Sequence, residues 1–524
     1  HGTWSREPNN MKDNPMKRLF IAILLASCLS SFGQEILPSE YNCFTVMVGK
    51  DASVDGTLLY GHNDDDGFQL VNTYVEPRKH YPQGAEQTLQ YGGRIAQVPT
   101  THKFLWLEVP GMEVADGFMN EYGVCIGSNF CGSREDRMDI SQGGILYDLR
   151  LIMAQRAKTA REAVRIAGRL IEQFGYRGSG RSYCISDREE AWVLAAVKGK
   201  RWAAARVPDD EVMVLPNYYP IAQMDLQDSA NYLGSADLVS YAQDRGWYDP
   251  DRDGQFNFRK AYASVGALKN RGNTGRAWSA YSSLEEDYQR DDNFPFSFKP
   301  RKKVSKEKLM ELLAGHSQGM QGMDKTKSCT TGNPYELNEG MICNGGTIYS
   351  FVVESRPWMP VAIGTVMWLA PRRCDVQPFI PWYCGIKRVP ENYAKKGYLN
   401  SLQDHYSPPA DIHQMSKDLA YWNFEVLSAN INRDFVKKYP VALAKKLQME
   451  AALLKAQDRF ERKALKQYKT NPEQAIQTIT EYTKQQAQKS YLQTVALLTE
   501  LNIAFPSPKT KAIKIKDEVP AEHK

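Results

Sequence analysis

No phosphate-cradling glycine loop, no dinucleotide fingerprint and no basic stripe interleaved with aromatics occurs in the 524 residues. Nucleotide-dependent chemistry and nucleic-acid binding therefore have no support in the sequence. Histidine is scarce, with eight residues and no cluster. The nine cysteines, at 28, 43, 125, 131, 184, 329, 343, 374 and 384, offer no zinc-ligand spacing, because Cys125 and Cys131 lack a matching second pair. They are too widely spread for a small disulfide scaffold and read mostly as small core residues. The apolar run Leu19 to Ala26 is too short to cross a bilayer as a helix. No internal repeat is visible.

What is present suits a large enzyme. Hydrophobic residues make up 42% and charged residues 24% of the chain, ordinary values for a globular protein with a sizeable core. Lys+Arg 66 against Asp+Glu 61 leaves a net charge of +5, and part of that surplus lies in the tail, at Lys509, Lys511, Lys514 and Lys516. Met16-Lys17-Arg18 ahead of the run Leu19 to Ala26 has the form of a secretory signal. Two processing schemes fit it. Ser31-Phe32-Gly33 before Gln34 suits a small-residue peptidase, whereas Leu25-Ala26-Ser27-Cys28 has the form of a lipobox with Cys28 as lipid acceptor. Both place the protein outside the cytoplasm.

The pattern predicts the following organisation: an upstream segment 1–15, a signal peptide 16–33, a propeptide spacer 34–42, a catalytic domain 43–407, a helical region 408–504 and a disordered tail 505–524. Strands are expected at Cys43–Gly49, Thr57–Gly61, Phe104–Leu107, Tyr122–Gly127, Ala191–Ala195 and Val212–Leu215, with more between Gly346 and Trp368. Ile145 to Phe174 has helical spacing, and Val441 to Tyr468 is a long amphipathic pattern. Asn471-Pro472-Glu473-Gln474 reads as an N-cap, a first-position proline and a capping-box partner that restart a helix to about Leu501. Strands on both sides of a helical block predict an α+β layered fold. Asp249-Pro250-Asp251-Arg252-Asp253-Gly254 has the front of a calcium loop, but Lys260 stands where the bidentate glutamate would be, so it reads as a polar turn.

Cys43 carries the chemistry in this reading. Alone, a cysteine is most often core; this one follows a signal and a spacer and opens a strand. Removing the spacer would give it a free α-amine, whose ordinary pKa of about 7.7–8.0 lets it take the thiol proton at neutral pH. One residue would then supply nucleophile and base.

The run Cys43-Phe-Thr-Val-Met-Val-Gly-Lys-Asp-Ala-Ser-Val-Asp-Gly-Thr resembles the start of the dipeptidase A/secernin family of cysteine peptidases. That family is related to choloylglycine hydrolase and penicillin V acylase. Gly61-His62-Asn63-Asp64-Asp65 is similar to the wider group's Gly-Arg-Asn-x-Asp segment. Asn120-Glu121-Tyr122-Gly123-Val124 with Gly127-Ser128-Asn129-Phe130, and Leu215-Pro216-Asn217 after Arg206 to Asp210, continue it. Phe294 to Ser297, Gly346 to Ser350 and Pro378 to Pro381 complete a likeness that runs from about 43 to 500.

The resemblance implies an αββα N-terminal-nucleophile hydrolase sandwich with a carboxy-terminal helical elaboration. It implies an exported cysteine dipeptidase that needs no cofactor, binds small peptides and has neither a nucleic-acid partner nor an integral membrane span; a homo-oligomer is left open. It makes Cys43 the nucleophile, Asp65 the carboxylate that orients the α-amine, and Asn129 and Asn217 the oxyanion-hole and amine-positioning asparagines. Without the surrounding pattern, Asp64 to Asp66 would be a solvated turn and each asparagine a turn former. His62 stands where the group has arginine, so a fixed positive charge is replaced by a titratable one. Arg259 is the candidate for the group's later arginine. Two other readings remain open at this point: an acylase acting on N-acyl amides such as bile-salt conjugates or penicillin V, and an exported binding protein with a dead site.

Overall fold

The run Phe44-Thr45-Val46-Met47-Val48 is apolar and β-branched throughout, and all five residues are buried. Such a run suits a strand covered on both faces rather than one that alternates between core and water. In a computed structural model that describes residues 43–66, 70–113, 115–285, 293–318, 324–337 and 340–506, it lies near the middle of a seven-stranded antiparallel sheet. The strand order there is Ser297–Phe298, Val212–Leu215, Phe44–Val48, Leu58–Asp65, Thr347–Ser355, Thr365–Pro371 and Ile380–Tyr383. The expected signal, spacer and upstream segment, and nearly all of the expected tail, lie outside the described residues.

A second antiparallel sheet has eight strands, in the order Tyr232–Gly234, Trp202–Arg206, Ala191–Gly199, Tyr176–Ser186, Cys125–Phe130, Gly117–Asn120, Phe104–Glu108 and Asn72–Glu76. The two sheets share one apolar core, in which Val46, Met47 and Tyr60 of the first meet Cys125, Cys184, Val193 and Ala205 of the second. They pack tightly at Gly127: a Cβ there would run into the Tyr60 hydroxyl and stand 3.5 Å from the His62 ring. A glycine is required at that point, one residue pair away from Asn129.

Helices cover the outer faces. Asp148–Arg156 and Ala160–Phe174 bury Leu149, Ile152, Val164 and Ile171 against Trp106, Phe118, Ile126 and Trp192 of the second sheet. Over the first sheet, Lys306–Leu313 sets Leu309 against Gly61, whose missing side chain admits it. Phe435–Thr470 and Pro472–Glu500 cover the edge at Ile380–Tyr383, and Ala420–Asn432 packs on both helices. The expected αββα layering with a carboxy-terminal helical elaboration is what the chain forms. Among the described residues no helix is long and apolar enough to cross a membrane.

Three elements differ from the sequence reading, each for a local reason. The predicted helix over 145–174 is two helices. Their junction is built by Asn120, whose Nδ2 donates to the carbonyls of Ala154 (3.0 Å) and Ala157 (2.7 Å), and by Thr159, whose side chain accepts from Glu162 N. Tyr122 to Val124 is a turn, not a strand: the Asn120 Oδ1 accepts from the backbone N–H of both residues, and Gly123 has φ +82°. The long helix begins at Phe435 rather than 441 and runs through Pro440. The carbonyl that loses its partner there is that of Val436, 60% exposed, where water can serve it. Asn471 caps the last helix as expected, accepting from Gln474 N at 3.1 Å.

The Asn120 side chain is fully buried and makes four hydrogen bonds. Asn120→Ala should therefore lower the unfolding free energy by about 3 kcal/mol, since two buried carbonyls lose their donor. The check is the urea midpoint, which should fall while the slope of the transition stays the same.

Candidate active site

Cys43 sits at the entry to the first strand, and the antiparallel register with Leu58–Asp65 places Phe44 opposite Asn63 and Thr45 opposite His62. The hairpin thus returns the acidic run Asp64 to Asp66 to the level of Cys43. The residue is 4% exposed, and its Sγ points to Asp64 Oδ1 at 3.7 Å. Burial pushes the thiol well above its ordinary range; the carboxylates of Asp64 and Asp65 add to that. The Asp65 backbone N–H and the Arg181 guanidinium oppose it. As arranged in the intact chain, this is a thiol held with its proton.

Three further elements close on it. From the Arg271–Leu284 helix, Arg276 donates Nη1 to the Cys43 carbonyl at 2.7 Å and Nη2 to Asn217 Oδ1 at 3.0 Å and Asn273 Oδ1 at 2.8 Å. Burial brings this guanidinium down to about 10, against the pull of Asp65 and Cys43. From the loop ahead of Thr347–Ser355, Asn344 donates Nδ2 to Asp65 Oδ2. Within that strand, the Tyr349 hydroxyl lies 2.6 Å from the Ala115 carbonyl and 2.9 Å from Asp64 Oδ2.

Asp65 is fully enclosed and pushed up to about 7, chiefly by burial; Thr347, Arg276 and Asn344 oppose the shift. Its Oδ1 is buried and receives no donor in hydrogen-bond geometry, although the Thr347 hydroxyl is close enough to favour the ionised form. Asp66 is part-exposed as a residue, but its Oδ2 is buried without a partner. Burial, then Asp64, push it up to about 8.

The two asparagines differ in what they can offer. Asn217 donates one amide hydrogen to the Phe130 carbonyl at 3.0 Å and accepts from Arg276. Its second hydrogen has no bond among the described residues. Asn129 donates both amide hydrogens, to the carbonyls of Leu215 and Pro216 at 3.1 Å each, and accepts from the Thr45 hydroxyl at 2.7 Å. With two hydrogens engaged, Asn129 holds the 215–217 turn that presents Asn217. Because Thr45 gives its hydrogen to Asn129, the contact of 2.8 Å to His62 Nδ1 requires that nitrogen to carry the proton. His62 Nε2 then faces Asp64 Oδ2 at 3.5 Å.

Arg259 is not part of this cluster. Its guanidinium donates to the carbonyls of Phe294 (2.7 Å) and Pro220 (2.6 Å), where it ties two loops together. The arginine that reaches the Cys43 carbonyl is Arg276. The sequence offered only a weak signal: an arginine one helical turn after Asn273, on a face shared with Ala277 and Ala280. Asn344 and Tyr349 were likewise unmarked.

A sequence model of peptidase family C69 matches residues 42–439, which takes in every residue of this cluster. A probable dipeptidase B from Streptococcus pyogenes serotype M1 is 24% identical over 425 residues, covering 76% of this chain and 82% of the relative. Dipeptidase A from Lactobacillus helveticus is 25% identical over 402 residues, 69% of this chain and 81% of its own. A probable dipeptidase from Salmonella dublin is 26% identical over 365 residues, 66% and 81% of the two chains. Among solved structures, a mutant of the conjugated bile acid hydrolase from Clostridium perfringens covers 63% of this chain and 89% of its own, at 12% identity and a TM-score of 0.26. With the family match starting at the residue before Cys43 and spanning both sheets, the chain belongs to peptidase family C69.

Proposed function

We propose that this protein is an exported cysteine dipeptidase in which Cys43, freed at its amino end, is nucleophile and base together. The observation that carries the reading is Asp65 Oδ1, a buried carboxylate oxygen with no donor, beside the residue that opens the strand. A buried charge in want of a partner is costly. Cleavage between Asn42 and Cys43 would supply one: an α-ammonium that pairs with Asp65 once the amine has taken the thiol proton. The thiolate attacks the scissile carbonyl, and the Asn217 Nδ2 hydrogen not used by the Phe130 carbonyl would donate to the oxyanion. The leaving amine takes the proton from the α-ammonium. Water then opens the thioester with the amine again as base.

Asp66 fits the recognition of a dipeptide. Its buried, unpartnered Oδ2 lies one residue beyond the amine-orienting carboxylate, where a substrate α-ammonium would complete it. The relatives named as dipeptidases agree with that reading. Free dipeptides should be cut roughly 10²–10³-fold faster than the same dipeptides with an acetylated amine, because acetylation leaves that carboxylate without its partner. Comparative kcat/KM on the two series, with mass spectrometry of the mature amino terminus, is the test. Comparable rates, or a preference for acylated amides, would replace the dipeptidase by an acylase. No turnover of either with Cys43 at the amino terminus would leave a binding protein. A fully active form that still begins at Gln34 would end the amino-terminal mechanism.

A further inference from the structure

A second group of reactive side chains is buried on the far side of Asn63, and the chemistry above does not use it. His316, Cys343 and Asp375 bring their ligand atoms within 4.8 Å of one another, all fully enclosed. The residue types are those of a metal site, but the space between them is filled. The Tyr335 hydroxyl lies 2.8 Å from His316 Nε2, 2.6 Å from Asp375 Oδ2 and 3.7 Å from Cys343 Sγ. Arg373 holds both oxygens of Asp375, at 3.0 and 3.1 Å. A cation would have to displace a phenol and a guanidinium together. The cluster is a closed hydrogen-bonded network, and the reactive groups it leaves are sulfurs.

Cys374 directly precedes Asp375, and its Sγ lies 3.9 Å from Asn63 Oδ1. The Nδ2 of the same side chain donates to the carbonyl of Ile342 at 2.9 Å, and Ile342 is bonded to Cys343. Asn63 therefore clips the Cys374 thiol and the backbone entering Cys343 to one point. Cys374 and His316 are both within side-chain hydrogen-bonding reach of the Cys343 thiol. Between the two cysteines runs the hairpin Thr347–Ser355/Thr365–Pro371. Its register pairs Tyr349 with Pro371, and Arg372 N donates to Ile348 O at 3.0 Å, so both ends of the segment return to the same place. All described cysteines are free thiols in this structure.

We propose that Cys343 and Cys374 close a disulfide across the base of this hairpin, which fixes the loop carrying Asn344 and Thr347 against Asp65. An organic disulfide such as glutathione disulfide is the oxidant. The Cys343 thiolate attacks one of its sulfurs and releases one glutathione thiolate, leaving a mixed disulfide on Cys343. The Cys374 thiolate then attacks the Cys343 sulfur and releases the second glutathione. The two thiol protons pass to the released glutathione thiolates, and the two electrons reside in them. Since both sulfurs are fully buried, exchange proceeds while the hairpin base is open. It is slow in the native chain and fast during refolding. An exported protein meets such an oxidant, but the assignment stands independently of the dipeptidase reading.

The test uses the full chain, refolded either with glutathione disulfide or with reduced glutathione, alkylated, and digested without reduction. The expected product of oxidative refolding is a peptide pair joined through Cys343 and Cys374 that separates on reduction. The oxidised protein should melt several degrees above the reduced one, since a closed loop of about 30 residues constrains the unfolded chain, and Cys374→Ala should show no such difference. Recovery of both cysteines alkylated after oxidative refolding, or of either joined to a third cysteine, would overturn the assignment, as would identical melting of the two wild-type samples. The peptide measurement needs no variant to fold.

Discussion

Cys43→Ala is expected to leave no measurable turnover, a loss on the order of 10⁴–10⁶-fold, because removing a covalent nucleophile leaves only binding and oxyanion contacts. The fold should survive. The side chain loses one sulfur atom, whose polar neighbours are an Asp64 oxygen at 3.7 Å and the Asp65 backbone N–H, so its removal costs about 1 kcal/mol or less. The strand beneath is held by pairing on both sides, with Val212–Leu215 and Leu58–Asp65, which the substitution does not touch. Cys43→Ser keeps a hydroxyl of similar size but should lose most turnover, since an alcohol is the weaker nucleophile at neutral pH. Hydrolysis of a free dipeptide by wild type and both variants, with circular dichroism as the check on folding, decides the matter. Retained turnover in Cys43→Ala would move the chemistry to another residue.

How far the site was legible follows from how its parts are held. Cys43 and Asp65 lie at the two ends of one hairpin, so local pattern and the turn at Asp55-Gly56 were enough to bring them together. Asn217 could be marked by its segment, but its partner could not. Arg276 reaches Cys43 across 233 positions and Asn344 reaches Asp65 across 279, and nothing in periodicity encodes which loop meets which strand. Arg259 lies outside the cluster for the same reason: its residue type suited the role, while its Nη1 and Nη2 donate to two carbonyls of neighbouring loops. Asn129 accepts from Thr45, and the two hydrogens it donates make it a support for Asn217. The function of an amide group depends on which of its hydrogens remain, and that is decided by neighbours distant in sequence.

The layered fold was more legible than its boundaries. Fully apolar strands and a capped helix restart are properties of short windows, and both Phe44–Val48 and Asn471 appear as read. Asn120 shows the limit. Its segment was quoted as part of a functional pattern, but its four bonds terminate one helix and shape the Gly123 turn. In this chain the segment from Asn120 to Gly123 serves the scaffold.

Asp65→Asn should cut kcat/KM by about 10²–10³-fold and at the same time stabilise the uncleaved chain, two effects of opposite sign from one carboxyl. In the intact chain Asp65 is pushed up to about 7 from an ordinary value near 3.8, mainly by burial. The folded state therefore holds a proton that the unfolded state releases over roughly pH 4 to 7. Where the folded state binds more protons, stability falls as pH rises. The uncleaved chain should thus be most stable below pH 4 with respect to this group and lose that contribution as pH climbs through 7; Asp66, pushed up to about 8, extends the decline by one further unit. The asparagine has no charge to desolvate. In a Cys43→Ala background, which cannot take part in cleavage at its own amino end, Asp65→Asn should flatten the decline in the urea midpoint between pH 4 and 7. It should raise stability above pH 7 by up to about 4 kcal/mol. In the cleaved enzyme the balance reverses. The α-ammonium of Cys43 would be the missing donor to Asp65 Oδ1, so asparagine removes a counter-charge rather than a burden, and kcat/KM should fall by about 10²–10³-fold. Parallel pH curves for the two uncleaved chains, or undiminished dipeptide hydrolysis by Asp65→Asn, would show that this carboxyl orients no amine.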